Sequence, residues 1–202
     1  MTNAANAEIP PAVDRVIDPG DARWGRLREL IAEYSLKLGD FLLTSGRTSK
    51  YIFQLRQSMM LPEGGRLLGD IIVDYMNANS MECIGGLAVG AVPLVSAVSV
   101  MSAVKGAPKH SFFVRKEAKE HGARERIDGH VLAGGEVLIV DDVATSGGSI
   151  LKAIEGMNAE YPTCYVRKAL VIVDRQEGAA ENLERRGIEL VSIFRRRDFN
   201  IG

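Results

Sequence analysis

The sequence is poor in the residues that build disulfide or zinc frameworks. It has two cysteines, Cys83 and Cys164, in no Cys-x-x-Cys arrangement. A stapled secreted fold is therefore excluded, and both are expected as reduced, buried thiols of a cytoplasmic protein. The three histidines, His110, His121 and His130, lack metal-ligand spacing, so a structural zinc site is excluded too. There is no excess of either charge: 25 Lys and Arg against 26 Asp and Glu leave a net charge of −1. General binding to nucleic acid or to a membrane surface needs a basic excess and is not expected. The run Arg195 to Arg197 reads as a solvated face. No GxxxxGK[ST] nucleotide loop and no GxSxG nucleophile elbow occurs. Met1 to Gly20 carries no basic segment followed by an apolar one, so it is not expected to act as a signal peptide.

Long uncharged runs are scarce as well, and the stretch Ile84 to Val104 is the one long enough to span a bilayer. Gly85, Gly86, Gly90, Pro93 and its serines break it. It reads better as a buried strand, Cys83 to Val89, turning at Gly90 into a buried helix, Pro93 to Val104. With 202 residues and 46% hydrophobic content, the chain suits one domain with a packed core. The expected organisation is a frayed extension over 1–20 and a single domain over 21–202.

Apolar residues at three- and four-residue steps predict a helix from Asp21 to Leu38, stopped by Gly39. Two short strands around Ser45-Gly46-Arg47 follow, within a hairpin at about 39–57. Pro62 opens a second helix with Leu67, Leu68, Ile71, Ile72, Tyr75 and Met76 on its apolar face. A strand over His110 to Val114 runs into a glycine-flanked, densely charged segment, Arg115 to Gly129, expected as a mobile loop. Glu136 to Val140 is a buried strand, followed by a helix from about Gly147. A strand over Val166 to Val173, a helix over Glu177 to Arg186 and a strand over Ile188 to Ile193 complete the pattern. Alternating strands and helices predict an α/β fold, a parallel central sheet flanked by helices, with the early hairpin as a separate hood.

The strongest chemical signal lies in Val137 to Ser149. An apolar strand ends in Asp141 and Asp142, and Val143 and Ala144 lead into a turn, Thr145-Ser146-Gly147-Gly148-Ser149, that opens a helix. Ligands of parallel sheets bind at the carboxyl ends of strands. The turn offers backbone amides, hydroxyls and a helix N-terminus, which suit a phosphate monoester. Strand alternation points the two acids in different directions at the sheet rim. Carboxylates there can accept hydrogen bonds from vicinal sugar hydroxyls and stabilise positive charge on a ribose ring. The bland alternative is a helix cap after a strand, but two acids at a buried rim are expensive for a cap alone.

This segment resembles the phosphoribosyl pyrophosphate motif of the type I phosphoribosyltransferases, which names the donor and not the base. A second segment, Arg115-Lys116-Glu117-Ala118-Lys119-Glu120-His121-Gly122, resembles the catalytic loop of the orotate phosphoribosyltransferases. Arg115, Lys116, Lys119 and His121 are suited to surround a departing pyrophosphate, and the loop to close over the site and exclude water. The resemblance implies Lys119 as catalytic along with Asp141 and Asp142, donor contacts from 141–149, and Mg²⁺ held mainly through the donor's own oxygens. It also implies a homodimer whose active sites are shared across the interface. Phe41 to Phe53 resembles the family's base-covering hairpin, with Phe53 at a base-packing position and Ile52 at one that is aromatic in some members. Asp174-Arg175-Gln176-Glu177-Gly178 resembles the segment that takes the orotate carboxylate, a group Arg175 can bind bidentately. Thr145 is expected to touch the base. The chain departs from the family at Thr44 and Gly90, where some bacterial members carry Lys, and in the charged loop tip around Arg124 to Arg126. Two other readings stay open: transfer to another base, and a non-catalytic regulator that senses the sugar pyrophosphate.

Overall fold

The computed structural model describes residues 14–42, 48–117 and 125–201. A seven-stranded sheet runs in the order β1-β9-β8-β7-β4-β5-β6. Its strands are β1 (Asp14–Arg15), β4 (Cys83–Gly86), β5 (His110–Val114), β6 (Ile127–Gly129), β7 (Val137–Ala144), β8 (Lys168–Asp174) and β9 (Glu189–Arg195). Every pairing is parallel except β5 with β6, so the expected parallel sheet carries one antiparallel edge. The order reverses between β4 and β7. At such a switch point the two following loops diverge and leave a crevice.

Strand alternation divides the core. Leu138, Val140, Leu170, Ile172, Val191 and Ile193 face a layer formed by α1 (Ala22–Leu30), α3 (Pro62–Ala78) and α4 (Val92–Val104). Val137, Ile139, Ala169, Val171 and Leu190 face the layer that contains α5 (Gly148–Glu160) and α6 (Ala179–Glu184). A sheet covered on both faces needs apolar residues at consecutive positions, which is why β7 and β8 are near-continuous apolar runs. Pro62 stands in the first turn of α3, where its missing N–H removes no helical bond.

Three expectations are corrected. The helix predicted over 21–38 ends earlier: α1 passes into one π-helical turn, Ile31–Ser35, and a strand begins at Leu36. The buried Ser35 hydroxyl donates to Ser58 Oγ at 2.7 Å and accepts the Ser58 N–H at 3.1 Å, while Gln54 N–H bonds Ser35 O at 2.8 Å. Those bonds turn the chain into the antiparallel pair β2 (Leu36–Leu42) and β3 (Thr48–Phe53), followed by the short helix α2 (Arg56–Met59). Within the extension expected over 1–20, Asp14–Arg15 pairs with β9, while residues 1–13 lie outside the described residues. Arg15 holds Asp198 through two bonds of 2.9 and 2.7 Å, and Val16 N–H bonds Ser192 O at 3.0 Å. Trp24 Nε1 donates to Ile193 O at 3.0 Å along the same sheet edge. Finally, the charged segment expected as a loop over 115–129 folds back at its far end. Val114 pairs with Ile127, and Arg115 N–H bonds Arg126 O at 2.7 Å. The hairpin turn with Thr44, and the loop residues Lys119 and His121, lie outside the described residues.

Candidate active site

β7 carries Asp141 and Asp142 to the rim beside the switch point. Each side chain curls back onto the next amide: Asp142 N–H donates to Asp141 Oδ1 at 3.0 Å, and Val143 N–H to Asp142 Oδ1 at 2.9 Å. The divergence expected from strand alternation is thereby cancelled. Both carboxylates converge on the turn after β4, where a Cβ at Gly90 would lie 2.9 Å from Asp141 Oδ1 and 3.3 Å from Asp142 Oδ1. Only a residue without a side chain fits this approach unless the acids shift. The Ala88–Val89 peptide in the same turn is cis. Burial pushes the Asp141 carboxyl up to about 7, and the negative charge of Asp142 adds to the effect. A neighbouring pair of acids at the switch point, one of them reluctant to ionise, is arranged to receive hydroxyl donors or positive charge.

Next along the chain, Thr145 is half-buried, Ser146 is exposed and Gly147 is buried with φ of 80°. Gly147 is the N-cap of α5 and has no side chain with which to cap its first amides. Gly148 and Ser149 are exposed at that end. Asn182 Nδ2 donates to Ser146 O at 3.0 Å, which ties the turn to α6. A rigid turn presenting amides and hydroxyls is a fit receptor for a phosphate.

β8 delivers Arg175 to the same rim, where its N–H bonds Ala144 O at 3.0 Å. The residue is only 7% exposed. Glu177 Oε1 accepts from Nε at 2.9 Å, Ser49 Oγ accepts from Nη2 at 3.4 Å, and the guanidinium lies 4.6 Å from the Tyr51 ring centroid. The β2-β3 hairpin is thus docked onto the rim through Arg175. Phe53, half-buried, contacts Tyr51 and Phe199 with ring centroids 5.6 and 5.1 Å apart, while Ile52 lies on the opposite side of β3. Arg115 and Lys116 stand exposed at the carboxyl end of β5. There Arg115 is paired with Asp128, and the Arg126 side chain donates to the carbonyls of Arg115 and Lys116.

The model of the phosphoribosyl transferase domain matches residues 56–194, more than half of the chain. An orotate phosphoribosyltransferase from Bradyrhizobium sp. (strain ORS 278) is 40% identical over 178 residues, which cover 86% of this chain and 95% of that protein. The chain belongs to the orotate phosphoribosyltransferase family. The orotate phosphoribosyltransferase of Mycobacterium tuberculosis H37Rv, solved with Fe(III) dicitrate, has the same fold, with a TM-score of 0.77 and 31% identity over 89% of this chain and 99% of that one. The same enzyme solved with 5-phospho-α-D-ribosyl 1-diphosphate superposes with a TM-score of 0.73 at 28% identity, over 89% and 99% of the two chains.

For a member of the orotate phosphoribosyltransferase family, the rim thus gathers Asp141, Asp142, the turn over 145–149 and Arg175. Phe53 sits on the hairpin that docks there, and the described part of the loop begins at the end of β5. Ser49, Tyr51 and Glu177 escaped sequence reasoning as contacts of Arg175. Positions 49, 51 and 53 share one face of a strand, and that periodicity was the available signal. What the hairpin face touches depends on its docking, which no local pattern encodes.

Proposed function

We infer that the chain transfers phosphoribosyl from phosphoribosyl pyrophosphate to orotate, giving orotidine 5′-monophosphate and pyrophosphate in pyrimidine nucleotide biosynthesis. One observation carries the reading: a pair of neighbouring acids, one of them buried, a glycine turn that opens a helix and a buried arginine stand on one rim of a parallel sheet. The turn from Thr145 to Ser149 binds the 5′-phosphate through amides and hydroxyls. Asp141 and Asp142 hold the ribose hydroxyls and stabilise the positive charge that develops on the ring as the anomeric bond lengthens. Arg175 takes the orotate carboxylate, Phe53 packs against the base and Thr145 borders it. A ring nitrogen of the base then displaces pyrophosphate from the anomeric carbon. Lys119, with Arg115, Lys116 and His121, draws off the growing charge of the diphosphate.

Among the described residues no group of three or more acidic, His or Cys side chains is placed to hold a metal ion. Mg²⁺ would fit this site as a partner of the donor, held mainly by the donor's own oxygens near Asp141 and Asp142. When bound, it neutralises charge on the leaving diphosphate. Val100 and Val104, four residues apart on α4, expose apolar surface along one side of that helix, which supports a second copy covering it and a homodimer with shared sites. Among the described residues no helix is long and apolar enough to cross a membrane. The free, buried Cys83 and Cys164 favour a cytoplasmic setting. Glu177 already pairs with the Nε edge of Arg175, and a neutral base would leave its Nη edge without the carboxylate it is placed to take, which weighs against uracil or purine transfer.

The test is direct. The protein is mixed with Mg²⁺ and phosphoribosyl pyrophosphate, and orotate, uracil, adenine and hypoxanthine are each assayed for pyrophosphate release. Release with orotate alone is expected, and release with a neutral base but not orotate overturns the assignment. In the same assay Lys119→Ala is expected to cut turnover far more than it weakens orotate binding, and an unchanged turnover number removes Lys119 from the mechanism.

A further inference from the structure

Arg175 is held by residues that belong neither to the acid pair nor to the phosphate turn. Buried Asp174 accepts the Gln176 N–H at 2.9 Å, and Gln176 adopts a left-handed φ of 59°. The chain therefore reverses within two residues and sets Glu177 beside Arg175 Nε at 2.9 Å. From the other side, the hairpin supplies Ser49 at Nη2 and the ring of Tyr51, itself only 5% exposed, beneath the guanidinium. A guanidinium removed from water needs a counter-charge and fixed hydrogen bonds. Glu177 provides the charge along the Nε edge, and the aromatic face restrains the planar group from rotating. Among the described residues Nη1 has no hydrogen-bond partner, which leaves the terminal edge of the fork for a carboxylate to be taken bidentately.

We propose that Glu177 and Tyr51 are positioning residues for base selection, which together fix the Arg175 guanidinium so that its Nη edge meets the carboxylate of an acidic pyrimidine. This rests on the reading of Arg175 as the carboxylate receptor. It adds that the selectivity is distributed: one clamp comes from the loop after β8 and the other from the hairpin, and loss of either lets the fork swing. Because Glu177 is itself an anion near the incoming one, its value lies in geometry and not in attraction of the substrate.

The experiment compares KM for orotate and for phosphoribosyl pyrophosphate in the full chain and in Arg175→Ala, Glu177→Ala, Glu177→Gln, Tyr51→Leu and Tyr51→Phe. Glu177→Ala and Tyr51→Leu are expected to raise KM for orotate by about tenfold to a hundredfold while leaving that for the donor unchanged. Glu177→Gln keeps an acceptor for Nε and Tyr51→Phe keeps the ring, so each restores most of the loss. Arg175→Ala that raises KM for orotate while Glu177→Ala leaves it unchanged overturns the positioning role and spares the receptor. Arg175→Ala with unchanged KM for orotate overturns the receptor and the proposal with it. Equal rises for both substrates in Glu177→Ala mark a merely structural role and also overturn the proposal. Tyr51 is buried, so if Tyr51→Leu fails to fold, the more exposed Glu177 decides the matter.

Discussion

The raised Asp141 carboxyl makes a quantitative prediction about stability and pH. Burial and the neighbouring Asp142 charge lift it from 3.8 to about 7 in the folded chain. Folding therefore favours the protonated form. Below the unfolded value both states carry the proton and the stabilisation is complete. As pH rises towards the folded value, the unfolded chain ionises first and stability is lost. At about 1.4 kcal/mol per pH unit, a shift of this size amounts to roughly 4 kcal/mol in all, of which roughly 2 to 3 kcal/mol falls between about pH 5 and about pH 8. The assay is urea unfolding of the ligand-free protein across that interval, for the parent and for Asp141→Asn. Asparagine keeps the acceptor for the Asp142 amide and cannot ionise. Buried Asp174 is raised in the same direction, whereas Asp70, Asp74 and Asp198 are lowered and lose their contribution only at more acid pH. The comparison with Asp141→Asn isolates one carboxyl from these. The parent is expected to lose stability towards alkaline pH and the variant to lose much less, so that the variant becomes the more stable protein at about pH 8 while losing activity. Parallel pH profiles for the two proteins would refute the reasoning.

Three further substitutions probe the frame around the site. Gly147→Ala places a side chain at φ of 80° and 3.3 Å from Leu183, so it is expected to cost about 1 to 2 kcal/mol and to raise KM for the phosphorylated donor, read by urea unfolding and steady-state kinetics. Gly85→Ala would put a Cβ 2.2 Å from the Phe112 ring between β4 and β5, and a loss of about 3 kcal/mol is expected, measured as a lower urea midpoint. Asp198→Ala removes the partner of Arg15 and the acceptor for the Arg195 amide at 2.7 Å; hydrogen exchange at the Val16 amide is expected to accelerate while orotate turnover is kept.

How much of this was legible beforehand depended on the range of the interactions. β7 and β8 were readable because residues buried on both faces leave unbroken apolar runs. Asp141, Asp142 and Arg175 were readable because polar residues interrupt such a run only where it leaves the core for the rim, although β7 continues past the two acids to Ala144. β1 was hidden, since a two-residue strand is defined by Arg15 reaching Asp198 across 183 positions of sequence. The start of β2 was hidden because Tyr34 and Leu38 continue the helical spacing of Leu27 and Ile31, while buried Ser35 and Ser58 end the helix through a tertiary contact. The convergence of the two acids was missed for a local reason, as side chains bonded to their neighbours' amides no longer follow the pleat. The clamp on Arg175 needs the docked hairpin and is invisible to any window of adjacent residues.

The way the sheet ends has a consequence beyond the active site. β9 is seven residues long and would otherwise offer a row of open amides and carbonyls to any passing strand. The Asp14–Arg15 pairing, the Trp24 indole and the Arg15 guanidinium occupy that margin, and at the far margin three residues turn antiparallel. Among the described residues neither border of the seven-stranded sheet leaves a long, flat template, so strand addition at this sheet is disfavoured even when the protein is concentrated.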